Sequence, residues 1–315
     1  MEKTDFVWNH AKRYNDYASY IRAEFGNRVQ KISLDAGFTC PNRDGSKGVG
    51  GCIYCNNNSF NPSYSMPQKS VTQQLSDGVA ICKQRHSDQK YVAYFQAYSN
   101  TYGERQNLIR LYEEALAHPD ISGLVLGTRP DCVDEALLDY LAELNQKTYV
   151  AVEYGLESTF DETLNFINRC HTHKESEWAI EQTAKRGIPT GAHMIMGLPG
   201  ESREMMLHHA DVLSALPLHS MKMHQLQIVR HTKLARMYKQ DPESIKLFEP
   251  QEYIDLVIEF LERLRPTMIV ERFASESPRD LLIAPIWGIK NYELVHRVEK
   301  RMEELDSWQG KQYKG

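Results

Sequence analysis

No apolar run in this 315-residue chain approaches the roughly 18 residues that a membrane-spanning helix needs, which excludes that class. Residues Met1 to Trp8 lack a basic segment followed by an apolar one. No secretory leader is therefore expected, and the chain reads as cytoplasmic, where thiols stay reduced. Basic excess is missing as well: 37 Lys and Arg against 42 Asp and Glu leave a net charge of −5. That argues against indiscriminate nucleic-acid binding, while a local basic patch remains open. There is no internal repeat, low-complexity tract or long linker. The Gly-x4-Gly-Lys-Ser/Thr signature of a phosphate-binding loop is absent. What is present is size, with 41% hydrophobic residues, enough for a large core without disulfides. Six cysteines then need another explanation: metal ligands, reactive groups or ordinary buried residues.

A short apolar or β-branched run, a polar turn and an amphipathic helix recur along the chain. Strands are expected at Val29–Leu34, Tyr91–Tyr98, Gly123–Thr128, Tyr149–Glu153, Thr190–Met196 and Met221–Val229. Helical stripes lie between them: Val71, Leu75 and Val79; Leu108, Leu111 and Ala115; Val133, Leu137, Leu141 and Leu144; Met206, Ala210 and Leu213. Gly187 after Lys185 and Arg186 is a helix stop. This alternation implies βαβ units and a parallel sheet, either doubly wound and open or a partly closed barrel. In both, chemistry belongs at the C-terminal ends of the strands. A tail follows. Tyr253, Leu256, Val257, Phe260 and Leu264 outline a helix stopped at Pro266, then a strand-like Met268–Phe273 and a charged helix from about Tyr292 to Leu305. A helix over Trp8–Phe25 is expected to pack on the same body. The chain divides into a core of residues 1–245 and a C-terminal extension of residues 246–315.

The strongest chemical signal follows the first strand. Cys40, Cys52 and Cys55 fall within sixteen residues, spaced C-x11-C-x2-C, with Gly45, Gly48, Gly50 and Gly51 between them. The close pair lets two thiolates reach one metal centre, and the glycines let backbone curl around a bulky group. Structural zinc asks for a fourth ligand, and no further Cys or His lies at finger spacing. A three-cysteine [4Fe–4S] cluster keeps one iron open, which suits catalysis. The alternatives are an exposed loop with incidental cysteines, which conflicts with the burial preference of free thiols, and a Cys52/Cys55 redox pair, which leaves Cys40 and the glycines unexplained. Met194, Met196, Met221 and Met223 are read as core packing.

The run Lys31-Ile-Ser-Leu-Asp-Ala-Gly-Phe-Thr-Cys-Pro-Asn-Arg-Asp-Gly, together with the cysteine spacing, resembles the radical S-adenosylmethionine (SAM) superfamily. Within it the chain is similar to the branch related to the radical domain of the Elongator catalytic subunit. The resemblance spans about Tyr14 to Pro285, and the long first interval departs from the superfamily's usual C-x3-C-x2-C. It implies an α/β fold, a partial (β/α)6 TIM-like barrel with a C-terminal α/β extension. It also implies that Cys40, Cys52 and Cys55 hold a [4Fe–4S] cluster. Tyr54 occupies the position whose backbone contacts adenine. Gln96, Ser99 and Asn100 stand where relatives hold the methionine amino group. Gly127-Thr-Arg-Pro-Asp131 resembles the Thr-Arg-Pro-Asp of Elongator-like domains, with Gly127 where relatives often carry Glu. Arg129 offers a bidentate clamp for a carboxylate, and Asp131 a cap for the next helix.

Two carboxylates on one strand, Glu153 and Glu157, should be used or paired. By resemblance Glu157 contacts ribose and Glu153 a substrate or cofactor; the alternative is an ion pair with Arg129 or Arg169. Arg169 matches a position that pairs with the cofactor carboxylate, and Cys170 replaces the usual Gly after it. Gly197-Leu-Pro-Gly200 resembles the adenine-side glycine motif, with His193 near ribose and Gln227 as a further cofactor contact. No residue beyond the cluster ligands is assigned a catalytic role, and Cys82, Cys132 and Cys170 are left without one. The implied activity is reductive cleavage of SAM to a 5′-deoxyadenosyl radical that modifies a wobble-uridine side chain in tRNA. The expected partners are tRNA and an electron donor such as flavodoxin or ferredoxin. Lys222, Arg230, Lys233, Arg236, Arg272 and Arg279 are the cations proposed to grip phosphate. The alternatives are a zinc or iron–sulfur redox protein without catalysis, or a radical enzyme acting on a small metabolite or a protein.

Overall fold

The computed structural model describes residues 6–315, so most of the segment read for a leader lies outside the described residues. Six strands alternate with helices as the periodicity predicts: β1 (Val29–Leu34), β2 (Lys90–Phe95), β3 (Ile121–Thr128), β4 (Tyr149–Glu157), β5 (Thr190–Met196) and β6 (Ser220–Gln225). Helices α2 (Val71–Lys83), α3 (Arg105–Leu116), α4 (Glu135–Asn145), α6 (His173–Lys185) and α7 (Arg203–Ala215) connect them, with a short α5 (Asp161–Phe166) after β4. All are paired in parallel in sequence order, and β8 (Ile269–Arg272) joins β6 as a seventh parallel strand. Helix α9 (Pro250–Arg263) precedes β8, so the tail continues the α/β alternation instead of only packing on it. The short β7 (Ile228–Val229) pairs antiparallel with β9 (Leu282–Ala284), and α8 (Lys233–Gln240) and α10 (Asn291–Glu304) complete the chain. The sheet curls until its edges face each other: Lys31 Nζ on β1 lies 2.7 Å from Glu271 on β8. This is the partial TIM-like barrel, with its strands near-continuously apolar because helices cover the outside. Among the described residues no helix is long and apolar enough to cross a membrane.

Four sequence expectations are corrected. The strand expected over Tyr91–Tyr98 ends at Phe95, and Tyr98 turns away with a φ of 62°. The N-terminal helix is only α1 (Tyr17–Phe25): Asp16 accepts from Ser19 N and caps it. Residues 7–14 before it are turns and bends, and the segment touches the edge of β8 only through the single parallel bridge of Asp16 with Val270, where Val270 N donates to Asn15 O at 2.8 Å. The run Met221–Val229 breaks after Gln225, because β7 leaves the sheet for β9. Strand β4 runs four residues beyond Glu153, with a register shift between Gly155 and Glu157 and a φ of 70° at Glu157.

Helix α2 shows how tightly the outer layer fits. A Cβ on Gly78 would lie 2.5 Å from Ile32 Cγ2 and 2.8 Å from the Tyr64 ring. Alanine improves helix propensity by about 1 kcal/mol. Overpacking costs about 1–3 kcal/mol. Gly78→Ala is therefore expected to lower the urea midpoint; an unchanged or higher midpoint would show that the ring yields freely.

Candidate functional site

The loop after β1 folds back on itself before it reaches its last two cysteines. Arg43 N donates to Cys40 O at 2.8 Å and Gly51 N to Asn42 O at 2.8 Å. Gly51 has φ 75°, and a Cβ there would meet the Arg43 guanidinium at 2.9 Å, so the fold-back requires glycine. A second segment, after α5, straps the loop from behind. Ile53 N donates to Ile167 O at 3.0 Å, and Asn168 Nδ2 to Gly51 O at 2.8 Å and Val49 O at 3.2 Å. Asn42 Nδ2 donates in return to Asn168 O.

Cys40, Cys52 and Cys55 consequently line one cavity at the C-terminal ends of the strands, together with Tyr54, Arg129 and Arg169. Cys52 is buried, with Arg169 Nη1 at 3.5 Å and Asn42 Nδ2 at 3.6 Å from its sulfur. Two N–H donors on one sulfur suit a thiolate. Burial and the neighbouring Cys52 push the Cys55 thiol up. Arg169 Nη2 also donates to Gly155 O and lies 3.4 Å from Glu157 Oε1. Gly155 makes the room, since a Cβ there would meet Arg169 Nη2 at 2.7 Å.

The other predicted residues divide into those in the wall and those behind it. Gln96, Glu153, Glu157, His193 and Gln227 line the cavity with Tyr54, Arg129 and Arg169. Ser99 and Asn100 lie behind it: Ser99 Oγ accepts from Arg129 N, and Asn100 Nδ2 donates to Gly127 O at 2.7 Å. Gln96 accepts from Ser33 Oγ, and Gln227 is tied to Ser275 O and Ser277 Oγ. Cys82 sits on α2, and Cys132 and Cys170 are outside the wall. Asp131 does not cap α4; Asp134 does, accepting from Leu137 N. Asp131 instead receives Arg129 Nε and Nη2, both at 2.9 Å. Its burial would raise its pKa, but the bidentate arginine and Lys47 outweigh that and hold it at about 2.

Glu153 pairs with neither Arg129 nor Arg169. Lys31 and Lys222 each lie 2.6 Å from its oxygens and His193 Nε2 lies 3.0 Å away, while Glu271 bridges the same two lysines. Burial opposes its charge, yet the two lysines hold its carboxyl well below the usual range. Lys222 and Arg272, expected among the phosphate-gripping cations, thus belong to the barrel interior: Lys222 is 5% exposed and Arg272 lines the cavity. Arg230, Lys233, Arg236 and Arg279 are exposed. Lys31, Glu271, Asn42, Asn168 and His224 also contribute to the site, and no local motif marks them as doing so.

The donor set fits an iron–sulfur cluster and SAM. Three thiols face one cavity, and the buried Arg129 Nη1, Arg169 Nε and Asn57 Nδ2, all in its lining residues, have no partner among the described residues. Buried donors left open in a wall ask for an anionic or carbonyl acceptor, as the carboxylate of SAM supplies. Among the described residues no three His, Cys, Asp or Glu side chains converge on a single-ion site. Thiols spread around a wall suit a cluster that takes each cysteine on a separate iron.

Two buried histidines make stability depend on pH. Burial, followed by Arg169 and Arg129, lowers His171 to about 3; burial, followed by Arg272, lowers His224 to about 4. In the unfolded chain both titrate near 6.5, so between that value and about 4 the unfolded state binds protons the native state refuses. Stability therefore falls as pH drops through this window. The thermal midpoint at constant ionic strength is expected to decline from pH 7 to pH 4; a flat profile would contradict the neutral burial of both rings.

Comparison with known proteins agrees with this geometry. Residues 40–213 match the model of the radical SAM superfamily, and residues 218–304 that of the Radical_SAM C-terminal domain. The uncharacterized protein YtqA of Bacillus subtilis is 34% identical over 312 residues, 99% of this chain and 96% of that one. The tRNA uridine(34) acetyltransferase of Methanocaldococcus jannaschii is 24% identical over 185 residues, 58% of this chain and 32% of that protein. The structure of the archaeal Methanocaldococcus infernus Elp3 superposes with a TM-score of 0.68 at 15% identity, covering 89% of this chain and 64% of that one, which supports the shared fold.

Proposed function

The chain belongs to the radical SAM superfamily, an enzyme class whose members use a [4Fe–4S] cluster and SAM, and on that premise we propose that it modifies a wobble-uridine side chain in tRNA. Cys40, Cys52 and Cys55 would hold the cluster. Arg129 Nη1 and Arg169 Nε would take the SAM carboxylate, with Tyr54, Glu157, His193 and Gln227 around its nucleoside. When bound, the cluster and cofactor supply reductive cleavage of SAM to a 5′-deoxyadenosyl radical, with the electron drawn from a donor such as flavodoxin or ferredoxin. The protein's part is orientation and exclusion of water, performed by a cavity in which Glu153 and Arg169 are already held by ion pairs while open donors on Arg129 and Arg169 face the ligand.

The similarity to an enzyme named for tRNA uridine 34 carries the substrate proposal. The surface supports it. Leu234 N donates to Ile53 O at 2.8 Å and Asn56 Nδ2 to Arg230 O at 2.9 Å, which ties the exposed Arg230, Lys233 and Arg236 to the cysteine loop. A strand of RNA presenting its base to the cavity would lay phosphates on them. The deciding experiment compares tRNA nucleosides from cells with and without the gene: a precursor at the wobble position should accumulate in the deletion strain, and an unchanged nucleoside profile would sink the proposal. In vitro, neutralising Arg230, Lys233 and Arg236 should lower the slope of log affinity against log salt for an anticodon stem-loop by about 2.

A further inference from the structure

We infer that Arg272 anchors a subsite for a single negative charge, and that the molecule acted on in the cavity carries a carboxylate there. The inference rests on the cavity being the substrate site. Arg272 stands at the end of β8, the last strand of the sheet, and its side chain lines the cavity beside Tyr94, His224 and Ser275. Its Nε is buried without a partner, and no ion pair or hydrogen bond reaches its guanidinium among the described residues.

The neighbouring charges do not compensate it. Lys31 lies 2.6 Å from Glu153 and 2.7 Å from Glu271; Lys222 lies 2.6 Å and 3.2 Å from the same two carboxylates. Two lysines and two glutamates close a neutral quartet, which leaves Arg272 in surplus by one charge. A buried lysine in that position could lose its proton; a guanidinium cannot, so its charge persists until a ligand meets it. One surplus charge matches a monoanion, and the planar fork matches the two oxygens of a carboxylate. A dianion would instead leave the wall net negative beside Glu153 and Glu271. The SAM carboxylate has its own open donors on Arg129 and Arg169, which flank the thiols, whereas Arg272 shares its part of the wall with Tyr94, the neutral His224 and Ser275.

The test uses the anaerobically reconstituted full chain, titrated at fixed ionic strength with acetate, with dimethyl phosphate and with the neutral isostere acetamide, reading the thermal midpoint. Acetate should raise the midpoint of the parent and acetamide should not. Arg272→Gln should weaken the apparent acetate affinity at least about tenfold, because a charge-assisted bidentate pair is lost. Without ligand, Arg272→Gln should melt no lower than the parent, since it removes a half-buried cation that has no counter-ion and whose Nε has no partner. No acetate effect on the parent, or an equal one in Arg272→Gln, overturns the inference. A stronger response to dimethyl phosphate reassigns the site to a backbone phosphate and overturns the carboxylate. A lower unliganded midpoint, or weakened SAM binding by equilibrium dialysis, makes Arg272 a structural or cofactor residue and overturns it too. Failure of the tRNA proposal is read separately, from the nucleoside profile, and leaves the acetate result untouched.

Discussion

Cys52→Ala, after anaerobic reconstitution, is expected to retain less than one iron per chain where the parent holds about four, and to form no 5′-deoxyadenosine with dithionite. Cys40→Ala and Cys55→Ala should behave alike, because the three thiols face the same cavity and none of the other three cysteines does. The contrast with those others gives the experiment its force. Cys82 lies on the helix α2, Cys132 stands behind Arg129, and Cys170 packs against the back of the loop, its sulfur 2.7 Å from where a Cβ on Gly48 would be. Alanine at each of these should leave iron content and colour unchanged. Cys52 should be the most severe of the ligands in apo stability as well. Its removal takes the acceptor from Arg169 Nη1 and Asn42 Nδ2 while both donors remain buried. Full iron in any of the three loop variants, or loss of iron in Cys170→Ala, would reassign the ligand set.

The loop was legible because its chemistry is local: three thiols and four glycines inside sixteen residues announce themselves without a fold. Strands β1 and β5 were read to the residue, since each is a short stretch of apolar and β-branched residues interleaved with polar ones and bounded by turn residues. Strand β4 was cut short at Glu153 because its continuation, Tyr-Gly-Leu-Glu, combines a glycine with a second carboxylate, the pattern of a loop. What keeps it in the sheet is long-range. Glu153 is neutralised by lysines 122 and 69 residues away, and Glu271 reaches Lys31 across 240 residues. No window of sequence contains that quartet. A signal existed: Lys31 and Lys222 each sit inside a strand pattern, where a charge must be paired or placed outside. Arg272 was misplaced for the same reason. Taken as part of an appended tail, it reads as a surface cation; once β8 is the seventh strand, it is an interior one. The strap formed by Asn168, with φ 57°, has no periodicity to betray it.

Glu153→Gln is expected to destabilise the protein by about 3–5 kcal/mol, the range for removing one member of a buried ion-paired set. For a chain of this size that lowers the melting midpoint by roughly 5–8 °C. Glutamine keeps the shape of glutamate but turns a charge that serves three donors, Lys31, Lys222 and His193, into an amide whose NH2 faces ammonium groups. Both lysines would then depend on Glu271 alone. An exposed pair provides the control: Lys83 and Asp120 lie 2.8 Å apart on the surface, and Lys83→Gln should leave the melting midpoint essentially unchanged. The double variant Glu153→Gln with Lys222→Met should recover part of the loss, since it removes one of the stranded charges along with its counter-ion. The pH dependence has a definite sign. The folded carboxyl is held well below its ordinary value of 4.5, so its stabilisation is complete above that value and is lost as pH falls through the folded one. The gap between parent and Glu153→Gln should therefore be widest near neutrality and should narrow only in strong acid. A gap below about 1 kcal/mol at pH 7 would show that the lysines find other partners, and the charge balance that leaves Arg272 in surplus would have to be redrawn.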